Sequence, residues 1–262
     1  MDILETIVES KRRELEELRR SVPESLLMER LSAVSRPVLG FRGALADSPH
    51  GIIAEFKRKS PSKGWIHADI EPEDVVPKYA RGGAAAVSIL TDSTFFGGSL
   101  DFISRARPMV EIPILRKDFI IDPYQLAEAR IAGADAVLLI AACLSPGDFR
   151  DLLSQAHRLG LEALLEVHSA EELDYVTEEV DVVGVNNRHL GSFRTDVAVS
   201  LAMAEEMDRR GIRNLRVSES GLDSPEIVKT LRDKGFRGFL MGERFMREPS
   251  PGAALEAFTS AL

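Results

Sequence analysis

The stretch ADAVLLIAACLSPGDFRDLLSQAHRLGLEALLEVH, residues 134–168, contains one complete strand–helix–strand unit. Apolar runs occupy 136–140 and 163–167, and an amphipathic helical pattern fills 146–159 between them. A serine–proline pair opens this helix and a glycine closes it, as is typical of helix ends. Short apolar runs that alternate with helices predict parallel strands of an α/β protein.

The same unit recurs along the chain from residue 52. The apolar runs lie at 52–56, 86–90, 113–116, 136–140, 163–167, 182–185, 215–218 and 238–241. Helical segments lie near 72–82, 100–108, 123–132, 146–159, 170–178, 196–210, 224–234 and 251–261. Eight such units in about 210 residues predict a (β/α)8 TIM barrel. The competing arrangement is a doubly wound open sheet, which normally has fewer strands and often a G-x-G-x-x-G turn that this sequence lacks.

Residues 1–48 precede the repeat and predict an extra N-terminal helical segment. Together with the barrel of residues 49–262 it forms a single domain, 1–262. One helix is predicted over 2–20 from apolar residues at helical spacing, namely Ile3, Leu4, Ile7, Leu15 and Leu18. A second helix is predicted over 23–31, and residues 32–50 are expected to be loop and turn. We expect the charges from Lys11 to Arg20 to form a solvated helix face.

The composition limits the classes of function. A net charge of -9 argues against non-specific nucleic-acid binding but allows a local cationic pocket for a small anion. Cys143 is the single cysteine, which fits a reducing compartment. The N-terminus lacks the pattern of a signal peptide, and no apolar run reaches the ~18 residues of a membrane span. A cytoplasmic protein without membrane or nucleic-acid partners is therefore expected.

Charged residues close several of the predicted strands. In a TIM barrel the chemistry lies at the C-terminal ends of the strands. Because the outer face of a barrel strand packs on helices and is expected to be apolar, these side chains should point inward. The barrel mouth is predicted to hold Glu55, Lys57, Lys117, Glu166 and Glu219. An internal salt-bridge network is the alternative, but buried ion networks are costly, so acid–base chemistry is favoured.

Glycines and aromatic residues in the loops predict ligand contacts. Ser220 and Gly221 follow the seventh run, and Gly242 follows the eighth, where many barrels bind phosphate through backbone N–H groups. The alternative is that these residues only form tight turns. Phe96 lies in a loop after the second run and serves either as an apolar wall for a ring or as a loop anchor. The five histidines show no metal-binding spacing.

Eight motifs, in order, resemble the indole-3-glycerol phosphate synthase family. They are AEFKRKSPSKG (54–64), LTDSTFFGGS (90–99), PILRKDFIIDPYQ (113–125), ADAVLLI (134–140), LLEVH (164–168), GVNNR (184–188), SESG (218–221) and FLMGERFM (239–246). The resemblance covers residues 50–250 and also the helix of the N-terminal segment. It implies a carboxy-lyase that closes the indole ring of 1-(2-carboxyphenylamino)-1-deoxyribulose 5-phosphate, with loss of carbon dioxide and water, in tryptophan biosynthesis.

The resemblance also implies roles for individual residues. Lys117 is the general acid that protonates the ribulose carbonyl, and this role would need a lowered pKa. Lys57 binds the substrate carboxylate and can act in dehydration, although accounts of the family divide the two lysines' roles differently. Glu166 is the base that completes dehydration. The supporting polar residues are Glu55, Asn186 and Glu219, and Arg188 lies either beside the substrate carboxylate or among these supporting residues. The phosphate contacts are Ser60, Ser220, Gly221, Gly242 and the N–H of Glu243, and the ring wall is Phe96, Phe119 and Leu190.

Position 243 departs from some members of the family, which carry serine there. An acid would repel phosphate, so the carboxylate of Glu243 is expected to turn outward while its backbone N–H faces the ligand. The resemblance implies no cofactor and no metal. The predicted partners are a small phosphorylated substrate, either no second chain or a weak homodimer, and a possible contact with other tryptophan-pathway enzymes.

Two other functions remain open from the sequence alone. One is a related phosphate-binding barrel such as phosphoribosylanthranilate isomerase, whose chemistry needs a different acid–base pair and no second lysine on the first strand. The other is an inactive phosphate-binding or assembly module, which predicts loss of the polar rim. The rim is intact in this sequence, with both lysines and all three glutamates present.

Overall fold

A closed barrel of eight parallel strands forms the centre of the molecule. The structure, a computed structural model, describes residues 3–189, 191 and 194–262. Its strands are β1 (Ile52–Phe56), β2 (Lys59–Ser60), β3 (Gly64–Trp65), β4 (Ala86–Leu90), β5 (Ile114–Lys117), β6 (Ala136–Ile140), β7 (Glu162–Val167), β8 (Val182–Asn186), β9 (Leu215–Glu219) and β10 (Phe236–Met241). β1 and β4 to β10 close the barrel, and β2 and β3 form a separate hairpin. The predicted TIM barrel with an N-terminal helical segment is therefore confirmed.

Helices surround the barrel and precede it. They are α1 (Ile3–Ser21), α2 (Glu24–Ser32), α3 (Phe41–Asp47), α4 (Pro72–Arg81), α5 (Ser93–Phe96), α6 (Asp101–Ala106), α7 (Pro123–Ala132), α8 (Pro146–Arg158), α9 (Ala198–Arg209), α10 (Pro225–Asp233), α11 (Glu243–Met246) and α12 (Pro251–Thr259). Short 3-10 helices lie at Arg107–Met109, Ala141–Cys143 and Glu171–Tyr175. The last of these replaces most of the helix predicted over 170–178. No described helix is long and apolar enough to cross a lipid bilayer.

The predicted start signals coincide with observed caps. The side chains of Asp122, Ser145 and Ser224 accept hydrogen bonds from backbone N–H groups in the first turns of α7, α8 and α10. Each cap satisfies an N–H group that has no partner within its helix. A proline follows each capping residue and fixes the first helical φ angle.

α3 closes the N-terminal end of the barrel, where the sequence predicted loop. Phe41 and Leu45 lie one helical turn apart, and both are fully buried beside barrel-interior residues such as Ile53 and Val217. Gly40 and Gly43 suggested turns, but the burial of two large apolar side chains outweighs their low helix propensity. The predicted loop over 32–50 is therefore wrong at these residues.

The outer face of the barrel is not wholly apolar. Arg116 on β5 is 3% exposed and points away from the barrel interior. On the outer side of the strand it donates to the backbone oxygen of Gln125 and lies 3.1 Å from Asp118 Oδ2. Burial of a guanidinium is tolerable there because these oxygen acceptors and Glu128 surround it. The expectation that outward-facing strand residues are apolar is wrong at this position.

α1 does not present a uniformly solvated charged face. Lys11 is 1% exposed, because it lies on the stripe that includes Leu4, Ile7 and Leu15. Its ammonium is surrounded by the carboxylates of Glu14, Asp92 and Asp118. The prediction of a solvated face is therefore wrong at Lys11, but it holds at Arg13, whose side chain is exposed.

Candidate active site

One cavity of about 410 Å³ opens at the C-terminal ends of the strands. It is lined by every described member of the predicted site: Glu55, Lys57, Ser60, Phe96, Lys117, Phe119, Glu166, Asn186, Arg188, Glu219, Ser220, Gly221, Gly242 and Glu243. Leu190, the remaining predicted residue, lies outside the described residues. The strands collect these side chains at one mouth because inward-facing positions at the ends of parallel strands converge there.

Lys117 closes β5 and reaches into the centre of the mouth. Its Nζ lies 3.8 Å from Glu166 Oε2. Burial by itself would lower the pKa of Lys117, but the carboxylates of Glu166, Glu219 and Glu55 outweigh that effect and raise it. The expected downward shift is therefore wrong for the described structure. The raised pKa favours the ammonium form of Lys117, which can donate a proton once a substrate oxygen reaches it.

The pKa values of Glu166 and Glu219 are shifted in opposite directions, although both side chains are buried. Burial favours the neutral acid, but Lys117, His168 and Asn186 lower the pKa of Glu166 and keep it ionised. The pKa of Glu219 is raised by burial and by the charges of Glu166 and Glu55. The pKa values of two carboxyl groups in one pocket move apart in this way because the negative charge of the first opposes ionisation of the second.

Close backbone approach makes room for these carboxylates. A Cβ atom at residue 184 would collide with Glu219 Oε1, and a Cβ atom at residue 242 would collide with Glu55 Oε1. Gly184 and Gly242 therefore provide the space into which the two carboxyl groups fit. This requirement adds a steric reason for glycine at 242, beside the predicted phosphate contact.

Glu55 lies on β1, and Lys57 follows directly after the end of this strand at Phe56. Lys57 Nζ is 2.7 Å from Glu55 Oε1, and the Lys57 side chain is more exposed than that of its partner. Burial opposes ionisation of Glu55, but Lys57, Lys117 and Arg188 lower its pKa and hold it as a carboxylate. The pair places a second ammonium ion in the same cavity as Lys117.

Asn186 and Arg188 continue from β8 over the mouth. Asn186 Oδ1 accepts a hydrogen bond from the Arg188 backbone N–H at 3.0 Å. The Arg188 guanidinium donates to Ser62 Oγ at 3.2 Å and lies 3.8 Å from Glu243 Oε2. Arg188 thus places a cation at the rim, between the loop after β1 and the loop after β10.

The predicted phosphate contacts all line the cavity. Ser60 Oγ is buried and has no hydrogen-bond partner among the described residues. Ser220 adopts φ 67°, a left-handed conformation that is uncommon outside glycine, and Gly221 follows with φ 74°. Observed strain of this kind in a cavity loop favours a functional role for its orientation.

Asn187 supports this strained loop and was not predicted as a site residue. Its Nδ2 donates to the Ser220 backbone oxygen at 3.0 Å and to Ser218 Oγ at 3.0 Å. Asn187 is 1% exposed and also accepts from the Ser200 backbone N–H. The sequence signal was its position beside Asn186 at the end of the sixth apolar run.

The Glu243 carboxylate turns along the rim of the cavity. It forms an ion pair with Lys63 in the hairpin loop and lies near Arg188. Burial would raise its pKa, but Lys63, Lys57 and Arg188 lower it. The carboxylate therefore meets two cations at the rim.

Two aromatic rings form one wall of the mouth. The centroids of Phe96 and Phe119 lie 6.1 Å apart, with a tilt of 36° between the rings. Ile3, Leu4 and Ile7 of α1 line the same cavity. The sequence placed these three residues on an apolar helix stripe but gave no sign that the stripe faces the barrel mouth.

His168 is a further residue beside the reacting groups. Its Nε2 lies 3.1 Å from Glu166 Oε1, and its Nδ1 lies 3.5 Å from Glu172 Oε2. Burial opposes protonation, but the close carboxylates of Glu166 and Glu172 raise the pKa of His168 to about 10. Glu166 therefore lies between two cations, His168 and Lys117. The strand-end position two residues after Glu166 was the signal that could have identified it.

Cys143 shows no sign of a nucleophilic role. Burial and the nearby charges of Glu166 and Glu172 raise the pKa of its thiol to about 12, so it stays protonated. Within the described residues, no group of three or more His, Cys, Asp or Glu side chains has an arrangement suited to a metal ion. The chemical groups at hand are ammonium, carboxyl, imidazole, guanidinium and amide.

Comparison with known proteins identifies the family. The model of the family described as "Indole-3-glycerol phosphate synthase" matches residues 4–258. A curated protein of that name from Bacteroides thetaiotaomicron is 52% identical over 261 residues, covering 100% of this chain and 99% of its own length. Another from Carboxydothermus hydrogenoformans is 42% identical, covering 97% of this chain and 98% of its own length.

A solved structure supports the fold independently. A mutant tryptophan synthase α-subunit from Pyrococcus furiosus aligns with a TM-score of 0.61 at 14% identity, covering 81% of this chain and 97% of its own. That similarity concerns the barrel alone. The family match and the curated relatives, both spanning nearly the whole chain, confirm the resemblance drawn from the ordered motifs, and the chain belongs to the indole-3-glycerol phosphate synthase family.

Proposed function

We propose that the chain converts 1-(2-carboxyphenylamino)-1-deoxyribulose 5-phosphate into indole-3-glycerol phosphate, carbon dioxide and water. The observation that carries this proposal is the meeting of Lys57, Lys117 and Glu166 in one cavity beneath the paired rings of Phe96 and Phe119. Ring closure needs an acid at a carbonyl oxygen, a base for a later proton and an apolar wall for an aromatic ring.

Substrate binding uses three regions of the cavity. The phosphate lies against Ser60, Ser220, Gly221, Gly242 and the Glu243 N–H. The unpartnered Ser60 hydroxyl and the left-handed backbone at residue 220 support this placement. The aromatic ring lies against Phe96 and Phe119, with Leu190 as a further contact. Lys57 and Arg188 bind the carboxylate, since both cations line the cavity and neither is the proposed acid at the carbonyl.

Ring closure begins at the ribulose carbonyl. Lys117 donates a proton to the carbonyl oxygen while the ring carbon that carries the carboxylate attacks the carbonyl carbon and forms the new bond. Carbon dioxide then leaves, and the electron pair of the broken bond restores the aromatic ring. The raised pKa of Lys117 supports an acid that is charged before the reaction, and the surrounding carboxylates compensate the charge.

Dehydration completes the indole. The hydroxyl group formed at the former carbonyl leaves as water after it receives a proton, for which Lys57 is the proposed donor. Glu166 takes the proton from the carbon beside the ring nitrogen, and the double bond of the pyrrole ring forms. The lowered pKa of Glu166 keeps it ionised for this role. Glu55, Asn186 and Glu219 hold the lysines and the substrate hydroxyl groups.

The reaction assay tests the whole proposal. Purified protein is mixed with the carboxyphenylamino-deoxyribulose phosphate, and indole fluorescence is followed together with release of carbon dioxide. Equal molar amounts of indole product and carbon dioxide are expected. Absence of both with a folded protein would falsify the proposed function.

We further propose a cytoplasmic protein that is a monomer or a weak homodimer. The exposed large apolar side chains of the described residues, Met28, Trp65 and Met109, are not on one element, which supports the absence of a large apolar interface. A contact with other tryptophan-pathway enzymes stays a prediction. Analytical ultracentrifugation of the chain, alone and mixed with such enzymes, tests both statements, and cell fractionation tests the location.

A further inference from the structure

Lys11 is buried at the junction between α1 and the barrel mouth. Its side chain is 2% exposed, and its Nζ lies 2.8 Å from Glu14 Oε2, 3.0 Å from Asp92 Oδ2 and 3.0 Å from Asp118 Oδ1. An ammonium group has three N–H donors, so each can be directed to one carboxylate. The residue thus joins α1 to two barrel loops through charged contacts that water does not reach.

Asp92 connects Lys11 to the helix α5, which ends at Phe96. Its Oδ1 caps α5 by accepting from the Phe95 N–H at 2.7 Å, and its backbone oxygen accepts from the Gly98 N–H at 2.7 Å. The other carboxylate oxygen faces Lys11. The orientation of α5, and of the Phe96 ring at its end, therefore depends on a carboxylate that Lys11 holds from the opposite side.

Asp118 connects Lys11 to Phe119 and Lys117, which are the direct neighbours of Asp118 in the chain. The Asp118 carboxylate accepts from the Phe119 N–H at 2.8 Å and from Thr91 Oγ1 at 2.6 Å. Arg116 lies 3.1 Å from the same carboxylate. The Asp118 side chain is 1% exposed, so its position is fixed by these partners and by Lys11.

The balance of charge makes Lys11 necessary for this arrangement. Asp92 and Asp118 are buried carboxylates on separate loops, and Lys11 lies 3.0 Å from each. Loss of the cation would leave two buried like charges that repel each other at short range. The carboxylates of Asp118, Asp92 and Glu14 raise the pKa of Lys11 against the effect of burial, so the ammonium form persists.

We propose that Lys11 is a positioning residue that sets the spacing of the Phe96 and Phe119 rings by holding Asp92 and Asp118 together. The inference rests on the proposed role of these rings as the wall for the substrate's aromatic ring. Lys11 does not touch the reacting atoms. Its effect is therefore expected in substrate binding rather than in the chemical steps.

Lys11→Met tests the inference, with Arg13→Met as the matched control on the same helix. Arg13 is exposed, and within the described part of the chain it pairs only with Glu9. We expect KM for the aminodeoxyribulose phosphate to rise at least tenfold in Lys11→Met, with kcat changed less than threefold, and neither constant to change in the control. A merely structural defect lowers the active fraction and hence the apparent kcat, but it leaves KM unchanged.

Asp92→Asn provides a second variant that keeps an oxygen for the α5 cap but removes the charge that faces Lys11. Its KM is expected to rise severalfold, and this variant carries the test if Lys11→Met does not fold. The double variant Lys11→Met/Asp92→Asn should have a KM no higher than that of Lys11→Met, because the two residues act through one contact. Independent, multiplying effects of the two substitutions would contradict the proposal.

Phe96→Ala separates this inference from the proposed function. A raised KM in Phe96→Ala together with an unchanged KM in Lys11→Met overturns the positioning role alone. An unchanged KM in Phe96→Ala also overturns it, since the ring would then not contact the substrate. Failure of the wild-type protein to form any indole product rejects the proposed function itself and is seen before any variant is compared.

Discussion

Lys117 Nζ lies 3.8 Å from Glu166 Oε2, so the proposed acid and the proposed base face each other across the barrel mouth. Each shifts the pKa of the other toward its charged form. The distance exceeds that of a direct hydrogen bond. A substrate that places its carbonyl oxygen near Lys117 and its methylene group near Glu166 can therefore meet both in their active protonation states.

Lys117→Met should lower kcat by about 10³-fold or more, because the ribulose carbonyl loses its proton donor. Binding of an unreactive reduced substrate analogue should persist, as measured by titration calorimetry. Lys234→Met, an exposed lysine on the barrel's outside, is the control and should keep full activity. A loss of less than tenfold in Lys117→Met would assign the acid role to another group.

Glu166→Gln should separate decarboxylation from dehydration. In a single turnover, carbon dioxide should appear at a near-normal rate while indole absorbance develops about 100-fold more slowly, since only the later proton transfer lacks its base. Glu162→Gln, at the other end of β7, should leave both rates unchanged. If carbon dioxide and indole slow together in Glu166→Gln, the residue acts before or during ring closure instead.

His168→Gln should shift the pH dependence of catalysis. Glu166 must be ionised to act as a base, so kcat/KM falls as the pH drops through its pKa, which lies below the usual 4.5. Removal of the His168 cation raises that pKa, and the acid limb should move up by roughly 0.5 to 1 pH unit. His157→Gln, which removes a similar His–Asp pair on the outside, should not move it.

The same histidine should link stability to pH. The folded chain holds the His168 proton up to about pH 10, whereas the unfolded chain releases it near 6.5. The folded state therefore binds more protons between these values, and this contribution to stability is present below pH 6.5 and is lost as pH rises through 10. The difference in unfolding free energy between wild type and His168→Gln should shrink by more than about 1 kcal/mol over this window, as measured by urea denaturation. A constant difference would contradict the assignment.

Phe41→Ala should destabilise the barrel without changing its chemistry. Phe41 is fully buried at the end opposite the cavity, so its truncation should reduce the free energy of unfolding by about 3 to 5 kcal/mol. The kcat of the folded fraction should stay within twofold of wild type. Asp47→Ala, at an exposed position of the same helix, serves as the control and should change stability by less than about 0.5 kcal/mol.

The sequence predicted the barrel well because its strands carry a repeated local signal. The eight predicted runs match the eight barrel strands to within two residues at each end, and the described site residues all line one cavity. Two of the predicted charges, Glu55 and Lys57, were placed inward by strand alternation alone. That rule works because one face of a barrel strand must pack against helices.

Tertiary contacts explain what the sequence did not predict. Lys11 lies on the apolar stripe of α1, but its charge suggested solvent, and its three carboxylate partners are distant in the chain or outside the stripe. Phe41 and Leu45 form one turn of a helix whose stability comes from the barrel interior rather than from local propensity. The raised pKa of Lys117 depends on glutamates from three other strands, and no local pattern reports their combined charge.

The backbone at Ser220 has a consequence for engineering. A left-handed conformation at a residue with a Cβ atom costs about 1 kcal/mol or more relative to glycine. A redesign that only relieves backbone strain would therefore choose glycine at this position and would discard the hydroxyl next to the proposed phosphate contacts. Retention of serine there marks a place where heat resistance and substrate affinity are in opposition.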